Sequence, residues 1–226
     1  MAIGISSALH AIELKSQEKR VTITETISAI KLEGQLFDGK TAGPGCARLE
    51  IEFIHRDAPI SNFQPAARET DGMRVSSLDV GTATLTRTIL LGKNGGPIVI
   101  HLLADKPGAL SFKTRLIKND LSHVEIVDRR QLLLRPPEIS NSELASHLWV
   151  LPFEADVTSA EKSILLQGEG EALVIWNFSK PGELSSLAGT VEELARKYDP
   201  DQRPADPIKL WRGILADRLK SPEISP

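Results

Sequence analysis

The sequence predicts a mainly β chain, an antiparallel β-sandwich followed by a short C-terminal helical segment. Three observations predict it. Apolar residues recur at period two through most of the first 178 residues, turn signals separate the runs, and helical patterning is confined to the stretch after Phe178. This divides the chain into a sandwich over residues 1–180 and a helical, linker-like segment over 181–226 that packs on it.

In chain order, Arg20–Leu32 carries Val21, Ile23, Ile27 and Ala29 on one side, with Thr and Ser between them. Leu49, Ile51 and Phe53 alternate with Arg48, Glu50 and Glu52. Ala83, Leu85, Ile89 and Leu91 share a face in a threonine-rich stretch suited to a pleated surface. Ile98–Ala104, Ala109–Ile117, Ser122–Val127, Gln131–Arg135, His147–Leu151, Ser163–Gln167 and Ala172–Phe178 continue the series. Between them stand the turns Lys93-Asn94-Gly95-Gly96, Asp105-Lys106-Pro107-Gly108, Lys118-Asn119-Asp120 and Gly168-Glu169-Gly170. Many short strands at this spacing indicate a sandwich.

After Phe178 the pattern changes. Thr190-Val191-Glu192-Glu193 has capping-box spacing and opens a short helix to about Tyr198. Asp199–Pro207 holds three prolines and reads as a linker. Asp206 as N-cap and Pro207 at the first helical position open a second helix to about Lys220. On a helical wheel, Ile208, Trp211, Leu215 and Leu219 form a stripe that docks on a sheet. Leu210 and Ile214 fall on another side and are expected to stay in water, either as ordinary scattered surface apolar residues or as a partner interface toward a helical barrel on another chain or a second copy of this one.

Composition narrows the function classes. Hydrophobic residues make up 41% and charged residues 25%, an ordinary globular mix, and 226 residues bury a sizeable core without disulfides or metals. With 27 basic against 30 acidic side chains, the net charge of -3 gives no global basic field for nucleic acid or an anionic membrane. No apolar run approaches the ~20 residues that span a bilayer, and Met1–Ile5 lacks the positive segment of a signal peptide. Cys46, the single cysteine, rules out an internal disulfide framework and any multi-cysteine metal site. Aromatic content of 4% argues against a binding module built on stacking platforms. Trp149 or Trp176 beside a groove would revive that reading, and these two are the candidate sugar contacts.

Residue chemistry assigns no catalytic residue, metal ligand or cofactor. The five histidines show no His-x-His or His-x-x-x-His spacing. His101, inside an apolar run, reads as a core or edge histidine, and Cys46 as a small buried hydrophobe. Glu50 and Glu52 share a strand face, but that face alternates with core residues and is solvated, so nothing raises a pKa for glycosidase chemistry. Glu169 and Glu171 flank a hairpin turn, and Gly168-Glu169-Gly170 lacks the third glycine of a dinucleotide fingerprint.

Three longer segments carry a resemblance. Residues 77–87, Ser-Leu-Asp-Val-Gly-Thr-Ala-Thr-Leu-Thr-Arg, resemble the "LDL-T-A" strand of the amino-terminal β-domain of glycoside hydrolase family 95, the α-L-fucosidase and α-L-galactosidase family. Residues 99–112, with their Ala104-Asp105-Lys106-Pro107-Gly108 turn, are similar to that domain's next hairpin. Trp149-Val150-Leu151-Pro152-Phe153 and residues 168–176 are similar to its last strands. Order and spacing agree from about Ile3 to Trp176. The glycine-rich opening of the family survives only in Ile3-Gly4, and a hairpin expected between Leu85 and Arg87 is missing. In the family, the acid and the water-activating residue belong to a following (α/α) barrel, so none maps onto a position here. The resemblance therefore implies a supersandwich fold and a sugar-related context without an activity. The expected function is a scaffold or accessory sandwich in carbohydrate metabolism. The alternatives are a carbohydrate-binding or protein-interaction module, and an enzyme with its own site, marked by two buried carboxylates facing each other across a cleft.

Overall fold

The computed structural model describes residues 10–15, 18–37, 42–55, 58–65, 72–92, 95–117, 122–137, 143–154, 157–183, 187, 189–199 and 206–220. The Lys118–Asp120 turn, most of the 199–207 linker, the Ile3-Gly4 match and the Leu219 side chain lie outside them.

The chain is mainly β. Its strands are β1 (His10–Lys15), β2 (Lys19–Glu25), β3 (Ala29–Phe37), β4 (Ala42–Phe53), β5 (Ile60–Gln64), β6 (Met73–Val80), β7 (Ala83–Leu91) and β8 (Ile98–Ala104). There follow β9 (Leu110–Leu116), β10 (His123–Asp128), β11 (Gln131–Arg135), β12 (Ala145–Pro152), β13 (Val157–Ala160), β14 (Ser163–Glu169) and β15 (Glu171–Ser179). A 3₁₀ turn at Pro181–Glu183 leads to the helices α1 (Thr190–Tyr198) and α2 (Pro207–Lys220). The strands form a seven-stranded sheet in the order β1-β2-β3-β4-β9-β14-β13 and an eight-stranded sheet in the order β10-β11-β12-β15-β8-β7-β6-β5. The pairs within each sheet are antiparallel.

Period-two alternation builds the interior. Val21 and Ile23, Leu49 and Ile51, Leu85 and Ile89, Ile98 and Ile100, and Val174 and Trp176 are all under 5% exposed and meet between the sheets. Each fully buried aliphatic or aromatic side chain contributes about 1.5–3 kcal/mol of transfer free energy. The sheets approach closely at Gly34, where a Cβ would stand 2.4 Å from the Phe178 ring.

A second apolar layer lies on the outer face of the eight-stranded sheet. Here Leu90, Val99, Trp149, Leu173 and Ile175 are covered by Leu210, Trp211 and Ile214 of α2. The docking face of α2 therefore differs from the stripe the wheel selects, because the helix has two neighbours. Leu210, Trp211 and Ile214 face the sheet, while Gly213 lies against Tyr198 of α1, whose ring stands 2.4 Å from where a Cβ would be. Tyr198 Oη donates to Asp217 at 3.0 Å, and Lys209 Nζ donates to Asp199 at 2.9 Å. Ile208, assigned to the docking stripe, is 38% exposed.

Three local expectations also change. The run Arg20–Leu32 is two strands joined by a tight turn at Thr26–Ser28, in which Thr26 N donates to Ala29 O at 2.9 Å and Ala29 N to Thr26 Oγ1 at 3.0 Å. The capping box of α1 does not form: Gly189 is the N-cap, and the Thr190 hydroxyl instead donates to Leu187 O at 3.0 Å. Cys46 is half-buried rather than buried. The Asp206 cap does form, its Oδ1 accepting from Ile208 N at 2.8 Å.

Candidate functional site

A cleft of about 460 Å³ lies where β2 and β15 meet the C-terminal segment. Lys19, Asn177, Ser179, Glu183, Thr190 and Glu193 are among the residues that line it. Lys19 opens β2 at the same parity as Val21 and Ile23, which draws its stem inward until the residue is 4% exposed. Its Nζ donates to Asn177 Oδ1 and, at 3.3 Å, to Gly96 O, and stands 4.7 Å from the centre of the Phe178 ring. Asn177 Nδ2 donates to Thr190 Oγ1 at 3.1 Å, which ties β15 to the first turn of α1. Burial pushes the Lys19 ammonium down to about 8, and the Glu18 charge opposes it. Glu18, Glu183 and Glu193 against Lys19 and Lys197 leave the lining slightly acidic. The lining thus mixes amide, hydroxyl, ammonium and carboxylate groups, and its Lys19, Asn177 and Thr190 bond to one another.

The residues singled out from sequence are placed differently. Trp149 and Trp176 are 1% and 0% exposed. Trp176 sits between the sheets, and Trp149 lies under α2 with its ring 3.7 Å from that of His147. Neither presents a face to a sugar, because both are consumed by packing. Leu210 and Ile214 are 0% and 9% exposed against the chain's own sheet, so the partner interface assigned to them is intramolecular.

His101 meets the reading of a satisfied core histidine. Its Nε2 lies 2.6 Å from Glu171 Oε1, and its ring stacks 4.4 Å from that of Trp211, clasping α2 to β8 and β15. Burial lowers its pKa, with the Glu171 contact opposing.

His147, 2% exposed, is less well provided for, since neither ring nitrogen makes a well-formed hydrogen bond. Burial pushes it down to about 4, with the main chain of Leu187 the largest opposing influence. A neutral folded histidine that charges on unfolding makes stability rise with pH between those two pKa values. The contribution of His147 is therefore complete above about pH 6.5 and lost as the pH falls toward 4, amounting to about 3 kcal/mol. Chemical denaturation of the wild type and His147→Gln at pH 7 and pH 4 should show the variant losing less stability by that amount. Parallel losses would contradict the assignment.

Of the carboxylate pair, Glu52 is exposed as the strand pattern predicts, but the Glu50 side chain is only 13% exposed. Glu50 pairs with Lys31 at 3.1 Å and with Arg115. Burial pushes its carboxyl up, but the Arg115 and Lys31 contacts together outweigh burial and hold it below the usual value. That is the opposite of what a general acid needs. Glu169 departs from expectation: it is 2% exposed, with its carboxylate accepting from Gly170 N at 3.0 Å and Glu154 N at 3.3 Å, which fixes the turn. Among the described residues, no group of three or more His, Cys, Asp or Glu is placed to hold a metal ion, and no helix is long and apolar enough to cross a membrane.

Sequence reasoning missed the Lys19 cleft, although a signal existed: a lysine at a core-parity position of a strand. No family model matches the chain, and no curated protein matches it.

Proposed function

We propose that the chain is a non-catalytic β-sandwich with a scaffold or accessory role in carbohydrate metabolism, of the type found at the amino terminus of family 95 glycoside hydrolases. One observation carries the reading. The resembling segments, spread over residues 77–176, supply β6, β7, β8, β15 and β12, which are five adjacent strands of the eight-stranded sheet, and the start of β9 in the seven-stranded sheet. Most of the resemblance thus falls on one sheet, and the turn after Ala104 crosses to the other instead of closing a hairpin. The carboxylates in view also support it, because Glu50 is held ionised by cations. The partner implied by such a role is a helical-barrel catalytic module or a second copy of the chain. Leu210 and Ile214 are not available to it, whereas Val75 and Leu103, 44% and 37% exposed, lie on the outer face of the eight-stranded sheet.

The test is sedimentation of this chain with an (α/α)-barrel module of an α-L-fucosidase freed of its own β-domain. A one-to-one complex is expected, lost when Val75 and Leu103 are both changed to Lys. Separate sedimentation at micromolar concentration contradicts the scaffold role.

The Lys19 cleft favours a second reading, a module that binds neutral saccharide. Titration with neutral oligosaccharides, followed by calorimetry, should then give saturable heat that Asn177→Leu abolishes. No heat at millimolar sugar removes this reading and leaves the scaffold.

A further inference from the structure

The interior holds a cluster of charges that the scaffold role does not use. Glu25 at the end of β2, Arg74 and Ser76 on β6, and Arg87 on β7 are all 2% exposed or less and lie between the sheets. Both carboxylate oxygens of Glu25 are engaged: Oε2 accepts from Arg74 Nε at 2.6 Å, and Oε1 accepts from Ser76 Oγ at 2.6 Å. Arg87 donates from Nη1 to Thr26 O at 2.7 Å and from Nη2 to Ile27 O at 2.9 Å, with its guanidinium 4.1 Å from the centre of the Phe53 ring. Two cations thus face one anion. Arg74 Nη1 and Nη2 and Arg87 Nε are buried with no hydrogen-bond partner.

Buried donors in folded proteins are nearly always satisfied, and an orphaned pair on one buried cation points to a guest such as water or an ion. The chemistry of the orphan edge says which guest. A guanidinium offers two forked edges, and Glu25 takes the one containing Nε, leaving the Nη1–Nη2 edge of Arg74. That edge matches the paired oxygens of a carboxylate, carbonate or phosphate group. Water would satisfy the donors but not the excess positive charge. We propose that Arg74 holds a small oxyanion between the two sheets, completing a charge cluster with Glu25 and Arg87 that joins β2 to β6 and β7. Burial pushes Arg87 down to about 10, against the pull of Glu25, as expected of a cation withdrawn from water.

The experiment is thermal unfolding of the full chain at pH 7 and constant ionic strength, with chloride exchanged stepwise for phosphate or for acetate. A guest that binds only the folded state raises Tm with the logarithm of its concentration above Kd, on the order of 5 °C at a hundredfold excess. The response should vanish in Arg74→Lys, which keeps the charge and loses the fork. Equilibrium dialysis of the wild type against the effective anion should give one bound per chain. This reading remains available if the variant fails to fold. A Tm that follows ionic strength alone, an equal response in Arg74→Lys, or no bound anion in dialysis overturns the proposal in favour of water.

Discussion

Truncating Leu210 and Ile214 together to alanine is expected to undock the C-terminal helix. The two side chains are 0% and 9% exposed and pack on Leu90, Val99, Trp149, Leu173 and Ile175. Each such truncation in a core costs about 2–5 kcal/mol, the transfer term plus the cavity left behind. Their sum exceeds what one docked helix retains, so α2 should release while the inter-sheet core persists. Hydrogen exchange should then show α2 amides losing protection ahead of β8 and β15. Tryptophan emission should shift to the red as Trp149 and Trp211 meet water. A variant as stable as the wild type, with its helix still protected, would show that the helix docks by another face.

Glu25→Gln is expected to destabilise the whole sandwich by about 3–5 kcal/mol, because it removes the chain's own anion beside two buried guanidinium groups. The amide keeps the shape and one acceptor, but it cannot neutralise Arg74, whose Nε lies 2.6 Å from the carboxylate. Urea denaturation should show a lower midpoint with an unchanged slope, the signature of a stability change alone. Changing Arg74 to Met in the Glu25→Gln background should recover much of the loss, since the unpaired charge goes with it. A loss below about 1 kcal/mol would mean that water reaches the cluster and the charges are not buried in solution.

The strands legible in the sequence are those with an unbroken apolar face, whether the other face is wet or, as in β8 and β15, buried as well. Ile98–Ala104 and Gln131–Arg135 fall where the alternation places them, β7, β9 and β15 follow within one residue, and of β4 only the half from Arg48 onward is legible. Those that escaped have physical reasons. β1, β5 and β13 are three of the four sheet edges, paired on one side only, so their apolar pattern is short. β6 carries Arg74 and Ser76 at positions whose parity is that of Leu78, so polar residues occupy its core face. The turn at Thr26–Ser28 has neither Gly nor Pro. Arg87 closes it from 60 and 61 residues away by holding Ile27 O and Thr26 O.

The candidate site was less legible for the same cause. Lys19, Glu25, Arg74 and Arg87 all occupy core-parity positions of strands, yet hydrophobic periodicity treats a charge as an outward residue. Burial of the two tryptophans and the choice of docking face on α2 depend on what lies opposite. Tyr198 fits against Gly213, and a wheel drawn for α2 alone contains neither Tyr198 nor the sheet.

The central claim, that this sandwich does not itself catalyse, meets its most direct test in a hydrolysis assay. The purified chain is to be incubated with aryl α-L-fucosides and aryl α-L-galactosides, and release of the aryl group followed across pH 4–8. Release at the rate of buffer alone is expected, since Glu50 is held ionised by Arg115 and Lys31 instead of carrying a transferable proton. Turnover that survives repurification and disappears on changing one carboxylate to its amide would contradict it, and would place an active site on the sandwich.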